Sequence, residues 1–310
     1  MIKKKNTYNS VPTVTIGISA LNEEANISEW IKSVLNQEER DIKIRKIIIH
    51  SDGSTDQTTK IAKSFGDKRI RVYSHKQRKG KSLRLNQIFR EINTDFLVLS
   101  DADVVFANSN AVRNLVKPFK LQGVMVVGGN IIPIKARTFT EKAVSCTFQA
   151  YYPLRKELRS GNNMFSATGG LMAIRNKFAK MITIPRKCFG NDRFIYFECL
   201  SRGYKYKFVS NAIVKFRLPQ TLRDQIMQNS RFLATKKELE EYFDKDLLVK
   251  EHSVPKIFMM STFLKVFLAH PVYSLYIYIV NLYCMYIAKK RGSEFNEMWE
   301  RVATTKGSLT

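Results

Sequence analysis

The sequence predicts an α/β protein with a mostly parallel central sheet and helices on both of its faces. Short, β-branched apolar runs alternate with segments of helical spacing through the first hundred residues, a pattern that builds parallel sheets with right-handed crossovers. Three of these runs end on or just before an acid (Glu23, Asp52 and Asp101), at the strand end where open α/β sheets bind ligands. The 310 residues, 44% apolar and 11% aromatic, suffice for one large core or two modest ones.

The elements follow in order. Val14 to Ala20 is a buried strand, and Leu21-Asn22-Glu23-Glu24 is its loop. Asn26 with Glu29 three residues on has the capping-box pattern, and Ile27, Trp30, Ile31, Val34 and Leu35 recur at helical spacing. Lys46 to His50 is the second strand, Ser51 to Asp56 its loop and Gln57 to Phe65 its helix. Ile70 to Ser74, the basic loop Lys76 to Lys81 and the helical stretch Ser82 to Ile92 repeat the unit. Asp95 to Phe106 then holds a short apolar strand that ends on two carboxylates, Asp101 and Asp103. If it continues unbroken, alternation puts both carboxylates on one side, as hard oxygen ligands suited to a Mg2+ or Mn2+ ion carrying phosphates. A surface loop with two acids has the same composition, since Asp is a common turn residue. The chain has no G-x-G-x-x-G and no G-x-x-x-x-G-K-[ST], which disfavours a dinucleotide or P-loop site.

The pieces S-A-L-N-E-E, S-D-G-S-T-D, G-K-S-L-R-L-N and D-A-D stand in this order between Val14 and Asp103. In that order and spacing they resemble the nucleotide-sugar half of a GT-A glycosyltransferase, specifically the large inverting family called glycosyltransferase family 2. The resemblance implies a Rossmann-like GT-A fold. It places Glu23 and Asp52 at the nucleoside, Ala20 among the nucleotide-sugar-binding residues, Lys81 near the donor phosphates, Asp101 at the ribose or diphosphate and Asp103 on the divalent metal. Leu21 stands where many members have Tyr, and Arg84 where many have Ala.

Downstream, Val124 to Gly129 continues the sheet, and Thr140 to Leu158 is a helix interrupted near Pro153. Ala167 to Arg175 resembles the family's acceptor-side segment, in which Gly169 and Gly170 let a sugar approach the backbone; a turn into a strand has the same pattern. Gly190-Asn191-Asp192 before an amphipathic helix resembles the family's E-D or D-D motif. By that resemblance Asp192 is the general base, with Asn191 in place of the first acid. A helix cap at Asp192 is the plainer alternative. Ala212 to Phe216 is a strand. Gln228-Asn229-Ser230-Arg231-Phe232 then resembles the Q-x-x-R-W motif of membrane polysaccharide synthases, with Phe232 to stack on an acceptor sugar and Arg231 to meet diphosphate charge. The same five residues also suit the exposed face of a basic helix.

Beyond Lys236 to Glu251 the composition turns apolar. In Ile257 to Leu268, Ser261, Thr262 and Lys265 fall on one narrow stripe, the pattern of a helix lying in a membrane surface. After His270-Pro271, Val272 to Ala288 carries no charge and meets Lys289-Lys290-Arg291, at the lower length limit of a span. A cytosolic catalytic domain and a cytosolic basic cluster conflict with a single crossing, which leaves a re-entrant hairpin or an interfacial pair. Tyr273, Tyr276, Tyr283 and Tyr286 share roughly 140° of a helical wheel and suit an interface. A tyrosine-rich helical pair covering a soluble core is the remaining alternative.

The resulting division is a basic tail at 1–10, a transferase domain at 11–250, membrane-associated helices at 251–290 and a tail at 291–310. A charge of +25, from 52 basic and 27 acidic side chains, points to a polyanionic neighbour. The basic clusters at Lys3 to Lys5, Lys76 to Lys81 and Lys289 to Arg291 match no nucleic-acid-binding signature, so an anionic membrane and phosphorylated substrates are expected instead. Four cysteines without a C-x-x-C pair suit a reduced cytosolic setting and no zinc site, and no signal peptide is expected. The expectation is a metal-dependent inverting glycosyltransferase that moves a sugar from a UDP- or GDP-linked donor to a lipid-linked or saccharide acceptor at the cytosolic membrane face. A processive β-polysaccharide synthase and a non-catalytic basic binding protein on a transferase fold are the alternatives.

Overall fold

The computed structural model describes residues 11–291; the expected basic tail at 1–10 and the tail beyond 291 lie outside the described residues. One eight-stranded sheet organises the chain. Its strands are β1 (Thr13–Ala20), β2 (Lys43–Asp52), β3 (Ile70–His75), β4 (Phe96–Ser100), β5 (Val104–Phe106), β6 (Val124–Pro133), β7 (Leu171–Arg175) and β8 (Lys205–Phe216), in the spatial order β3-β2-β1-β4-β7-β6-β8-β5. The first four strands run parallel, as their helical crossovers require. β7 is antiparallel to both β4 and β6, and β5 is antiparallel to β8. The second half of the sheet is therefore mixed.

The helices are α1 (Ile27–Leu35), α2 (Thr58–Ser64), α3 (Lys81–Glu91), α4 (Ala111–Val116), α5 (Phe139–Glu157), α6 (Asn176–Ala179), α7 (Asn191–Ser201), α8 (Leu222–Leu239), α9 (Lys245–His252), α10 (Lys256–Ala269) and α11 (Pro271–Arg291). Two cores sandwich the sheet. On one side Ile16, Ile18, Ile47, Ile49, Phe96 and Val98 pack against Ile27, Trp30 and Ile31 of α1. On the other, Ile48, Leu97 and Leu99 pack against Leu85 and Ile88 of α3 and Phe194 and Phe197 of α7. The two faces of β4 feed different cores, which is why F-L-V-L-S is an unbroken buried run.

Several local expectations are corrected. Asn26 precedes α1 but makes no side-chain cap: its Nδ2 donates to Glu23 Oε2 at 3.3 Å, while Glu29 pairs with Lys32 instead of reaching back. The complete capping box is at Thr138 and Glu141, before α5. The strand through Asp95 to Phe106 does not continue; it ends at Ser100, turns through 101–103 and resumes as β5 on the far edge of the sheet. α5 continues past Pro153, because burial of Leu154 and packing against α10 and α11 outweigh one lost helical hydrogen bond. α7 is not amphipathic either: Phe194, Ile195, Tyr196, Phe197 and Cys199 bury most of its circumference.

At the carboxyl end, α10 stops before His270 and α11 starts at Pro271, whose missing N–H is harmless in a first turn. α11 lays Ile277, Val280 and Cys284 against Ala143 and Val144 of α5 and Leu218. Tyr273 and Tyr276 turn inward around Phe139, while Tyr283 and Tyr286 stay exposed, so the four tyrosines form no common outward face.

Candidate active site

The carboxyl ends of β1, β2 and β4 lie side by side, with Ala20 paired to Ser51, and their loops form one rim. Asn22, in the left-handed region at φ 52°, stitches the first two loops together. Its amide donates to Ser54 Oγ (3.0 Å), and its Oδ1 accepts from the Thr55 amide (2.7 Å). Glu23 is enclosed in this stitch: its amide donates to Thr58 Oγ1 (2.7 Å), and its carbonyl accepts from the amides of Asn26 and Ile27. Ala20 is fully buried behind it.

Asp52 builds the next wall. Its Oδ1 accepts from the Lys79 amide (2.9 Å) and from Arg84 Nε (2.6 Å), and its Oδ2 accepts from the Gly80 amide (2.8 Å). The basic loop at 76–80 is thus folded around one buried carboxylate. Arg84, standing where the resemblance expects a small residue, completes the arrangement by donating to the Gln77 carbonyl (2.9 Å). Gly53 is required here: at φ 75°, a Cβ on it would lie 2.6 Å from the Arg78 nitrogen.

Beyond the wall lies a cluster of opposite charges. Lys81, the first residue of α3, pairs with Asp101 at the end of β4. Partial desolvation works against the ammonium, whose side chain is 41% exposed, but Asp101, Asp192 and Asp103 outweigh it and hold Lys81 above the ordinary lysine pKa. Gly169 borders the pair so closely that a Cβ there would sit 3.5 Å from both Asp101 oxygens and from Lys81 Nζ. Its amide donates to Asp192 Oδ2 (2.9 Å), while Asp192 Oδ1 accepts from the Arg193 amide (2.9 Å). Asp192 lies in the first turn of α7, but Gly190 holds the cap position, so Asp192 serves the 167–170 loop and is not the N-cap. Gly170 is equally restricted, a Cβ there meeting Ile131 at 2.6 Å.

Arg231 of α8 approaches the same acids. Burial pushes its guanidinium below the ordinary arginine pKa, and the facing charges of Asp101, Asp192 and Asp103 oppose that shift. Gln228 lies one turn earlier, half-buried. Phe232 lies outside the cluster, 45% exposed, with the Arg231 guanidinium 5.7 Å from its ring.

One partner, Glu238, and the contacts of Asn191 lie outside what the sequence shows. Asn191, replacing an acid, donates to Ser82 Oγ (2.9 Å) and the Cys188 carbonyl (2.7 Å), tying α7 to α3. Glu238 of α8 accepts from the amides of Phe189 (2.8 Å) and Gly190 (3.2 Å), closing the amino end of α7. Burial raises its carboxyl to about 7. In the sequence it belongs to the run Glu238 to Glu241, which reads as a solvated face.

Among the described residues, no group of three or more His, Cys, Asp or Glu side chains is arranged to hold a metal alone. Asp101 and Asp103 bracket a single turn beside Lys81 and Arg231. Two carboxylates suit an ion that draws its remaining ligands from phosphates and water, as Mg2+ and Mn2+ do.

Residues 15–182, more than half of the chain, match the family model described as Glycosyl transferase family 2. A 4,4'-diaponeurosporenoate glycosyltransferase of Staphylococcus aureus is 32% identical over 124 residues, which is 39% of this chain and 32% of that protein. The match therefore spans about a third of the curated relative. Among solved structures, the mannosyltransferase PcManGT from Pyrobaculum calidifontis, in complex with GDP-Man and Mn2+, superposes with a TM-score of 0.57 at 16% identity, covering 92% of this chain and 77% of that one. Glucosyl-3-phosphoglycerate synthase from Mycobacterium tuberculosis, in complex with Mn2+, UDP and phosphoglyceric acid, gives 0.54 at 22% identity, covering 76% and 80%. Such identities speak for the fold, which is GT-A. With the family match over residues 15–182, the chain belongs to glycosyl transferase family 2.

Proposed function

We propose that the protein is a metal-dependent, inverting glycosyltransferase that takes a sugar from a UDP- or GDP-linked donor and places it on a lipid-linked or saccharide acceptor. The observation that carries this reading is the position of Asp192. It is held by the Gly169 amide at 2.9 Å, beside the Lys81–Asp101 pair and within the field of Arg231. A carboxylate so fixed takes the proton from an acceptor hydroxyl entering over the 167–170 loop. The hydroxyl oxygen then bonds to the anomeric carbon as the bond to the diphosphate breaks on the opposite side, and this single displacement inverts the configuration.

Glu23, Asp52 and Ala20 shape the nucleoside end, while Lys81 and Arg231 receive the charge left on the departing diphosphate. A divalent ion held by Asp103, with Asp101 beside it, would supply further neutralisation of that charge. The bound Mn2+ and nucleotides of the solved relatives support this assignment of the donor half.

We place the enzyme on the cytosolic membrane face through residues 251–290. α10 buries Thr262 from its polar stripe, while Ile257, Met260, Leu264 and Leu268 are 85%, 69%, 57% and 71% exposed. This inverted pattern suits a helix with lipid on its outer side. α11 is long and apolar enough to cross a membrane, yet one of its sides packs on α5 and α8, which favours a helix lying along the domain in the interface. The test is a screen of nucleotide sugars with Mg2+ or Mn2+, followed by NMR of the product's anomeric centre. An inverted product supports the reading, and a retained configuration refutes the single displacement.

A further inference from the structure

Near Asp192 lie two arginines that form no salt bridge among the described residues. Arg193 follows Asp192 on α7, and Arg155 projects from α5. Each guanidinium is driven below the ordinary arginine pKa, first by burial; Arg193 lowers Arg155 further, while Asp192 and Tyr151 partly hold Arg193 up. Arg155 stacks over Phe148, 4.1 Å from the ring centroid, but its Nη1 is shut off from solvent and meets no acceptor among the described residues. Neither side chain takes part in a salt bridge among the described residues. Two neighbouring half-buried cations, one with a donor atom closed to solvent and unmet, are unfavourable unless an anion completes them.

The surroundings indicate what kind of anion. Tyr151, within the field of Arg193, packs edge-on against Phe263 of α10 at 5.4 Å. Phe263 belongs to the exposed apolar face of that helix. The arginine pair thus lies between the proposed base and a surface suited to hydrocarbon. An acceptor that spans this distance carries a hydroxyl, an oxyanion next to it and an apolar tail.

We propose that Arg155 and Arg193 form the acceptor subsite for an amphiphile whose headgroup bears a phosphate or carboxylate, with its tail leaving along α10. The planar forks of two arginines suit either oxyanion. This assignment rests on the transferase reading for the role of the bound molecule, but binding itself can be measured without turnover.

The test is calorimetry on the full chain in detergent, without donor or metal, using geranyl phosphate, geranic acid, geraniol and inorganic phosphate as probes. One or both of the anionic amphiphiles should bind at least 10-fold more tightly than geraniol and than inorganic phosphate. Arg155→Gln should remove most of that advantage, while its melting temperature stays equal to the wild type's or rises, because an unpaired buried charge is gone. Arg155→Lys should keep part of the affinity. Equal binding of geraniol overturns the anion assignment, and equal binding of inorganic phosphate overturns the amphiphile. An Arg155→Gln protein that binds normally, or that loses binding only together with its fold, overturns the role of Arg155. If the anions bind as expected but no nucleotide sugar does, the transferase reading fails and the subsite stands.

Discussion

Replacing Arg84 by alanine removes the cation from a buried pair whose side chains are 3% and 4% exposed. The guanidinium makes three separate contacts: with Asp52 at 2.6 Å, with Gln87 Oε1 at 3.0 Å and with the Gln77 carbonyl at 2.9 Å. Its loss strands the Asp52 carboxylate out of water, and breaking one side of a buried pair costs about 3–5 kcal/mol. The amides of Lys79 and Gly80 still donate to Asp52, so the lower end applies, about 3 kcal/mol. For a chain of this size that lowers the melting temperature by about 5 °C. Urea unfolding followed by tryptophan fluorescence provides the free energy, and a cycle with Asp52→Asn isolates the pair. The expected coupling is about 1.5 kcal/mol or more. Nucleotide affinity should fall in parallel, because the 76–80 loop is folded on Asp52. A loss under about 1 kcal/mol for Arg84→Ala, or simple additivity with Asp52→Asn, would refute the claim that this pair sets the donor-site wall.

Other perturbations separate the remaining parts. Asp103→Asn should lower metal-dependent turnover by about 10³-fold, since a bound ion supplies several kcal/mol of charge stabilisation; undiminished activity in excess chelator would exclude that role. Glu238, its carboxyl raised to about 7 from 4.5, binds its proton more tightly in the folded state. Its contribution to stability is therefore full below pH 4.5 and lost as pH rises through about 7, a span of about 3 kcal/mol. Melting temperatures of Glu238→Gln should lack that slope, and an unchanged pH profile would show that Glu238 does not titrate there. Replacing Ile257, Leu264 and Leu268 together by glutamate should release the protein from anionic vesicles without lowering its melting temperature, each lost apolar contact being worth about 1.5 kcal/mol or more. Continued flotation with vesicles would move the contact elsewhere.

The donor half was legible in the sequence because strand-end acids and helical spacing are local signals. Val14 to Ala20, the Asp52 turn and the Asp101 turn all stand where periodicity puts them. Legibility failed where two local patterns looked alike. Asn26 with Glu29 and Thr138 with Glu141 both read as capping boxes, but only at Thr138 do the backbone geometry and both hydrogen bonds form. The turn at 101–103, which sends β5 to the far edge, depends on pairing with Val214 to Phe216, more than a hundred residues away. Glu238, Arg155 and the contacts of Asn191 were invisible for the same reason: each has a meaning only through elements brought against it from elsewhere in the chain. The outward apolar face of α10 was readable as composition, but which stripe turned inward was settled by packing.

The central claim, that Asp192 is the base of a sugar transfer, is tested most directly by Asp192→Asn beside the wild type. Release of nucleoside diphosphate from the active donor in the presence of Mn2+ reports turnover even when water is the acceptor, and calorimetry reports donor affinity. Donor affinity should be unchanged, with turnover reduced by about 10²-fold or more. Wild-type turnover in the variant, or a loss of donor affinity as large as the loss of turnover, would contradict it.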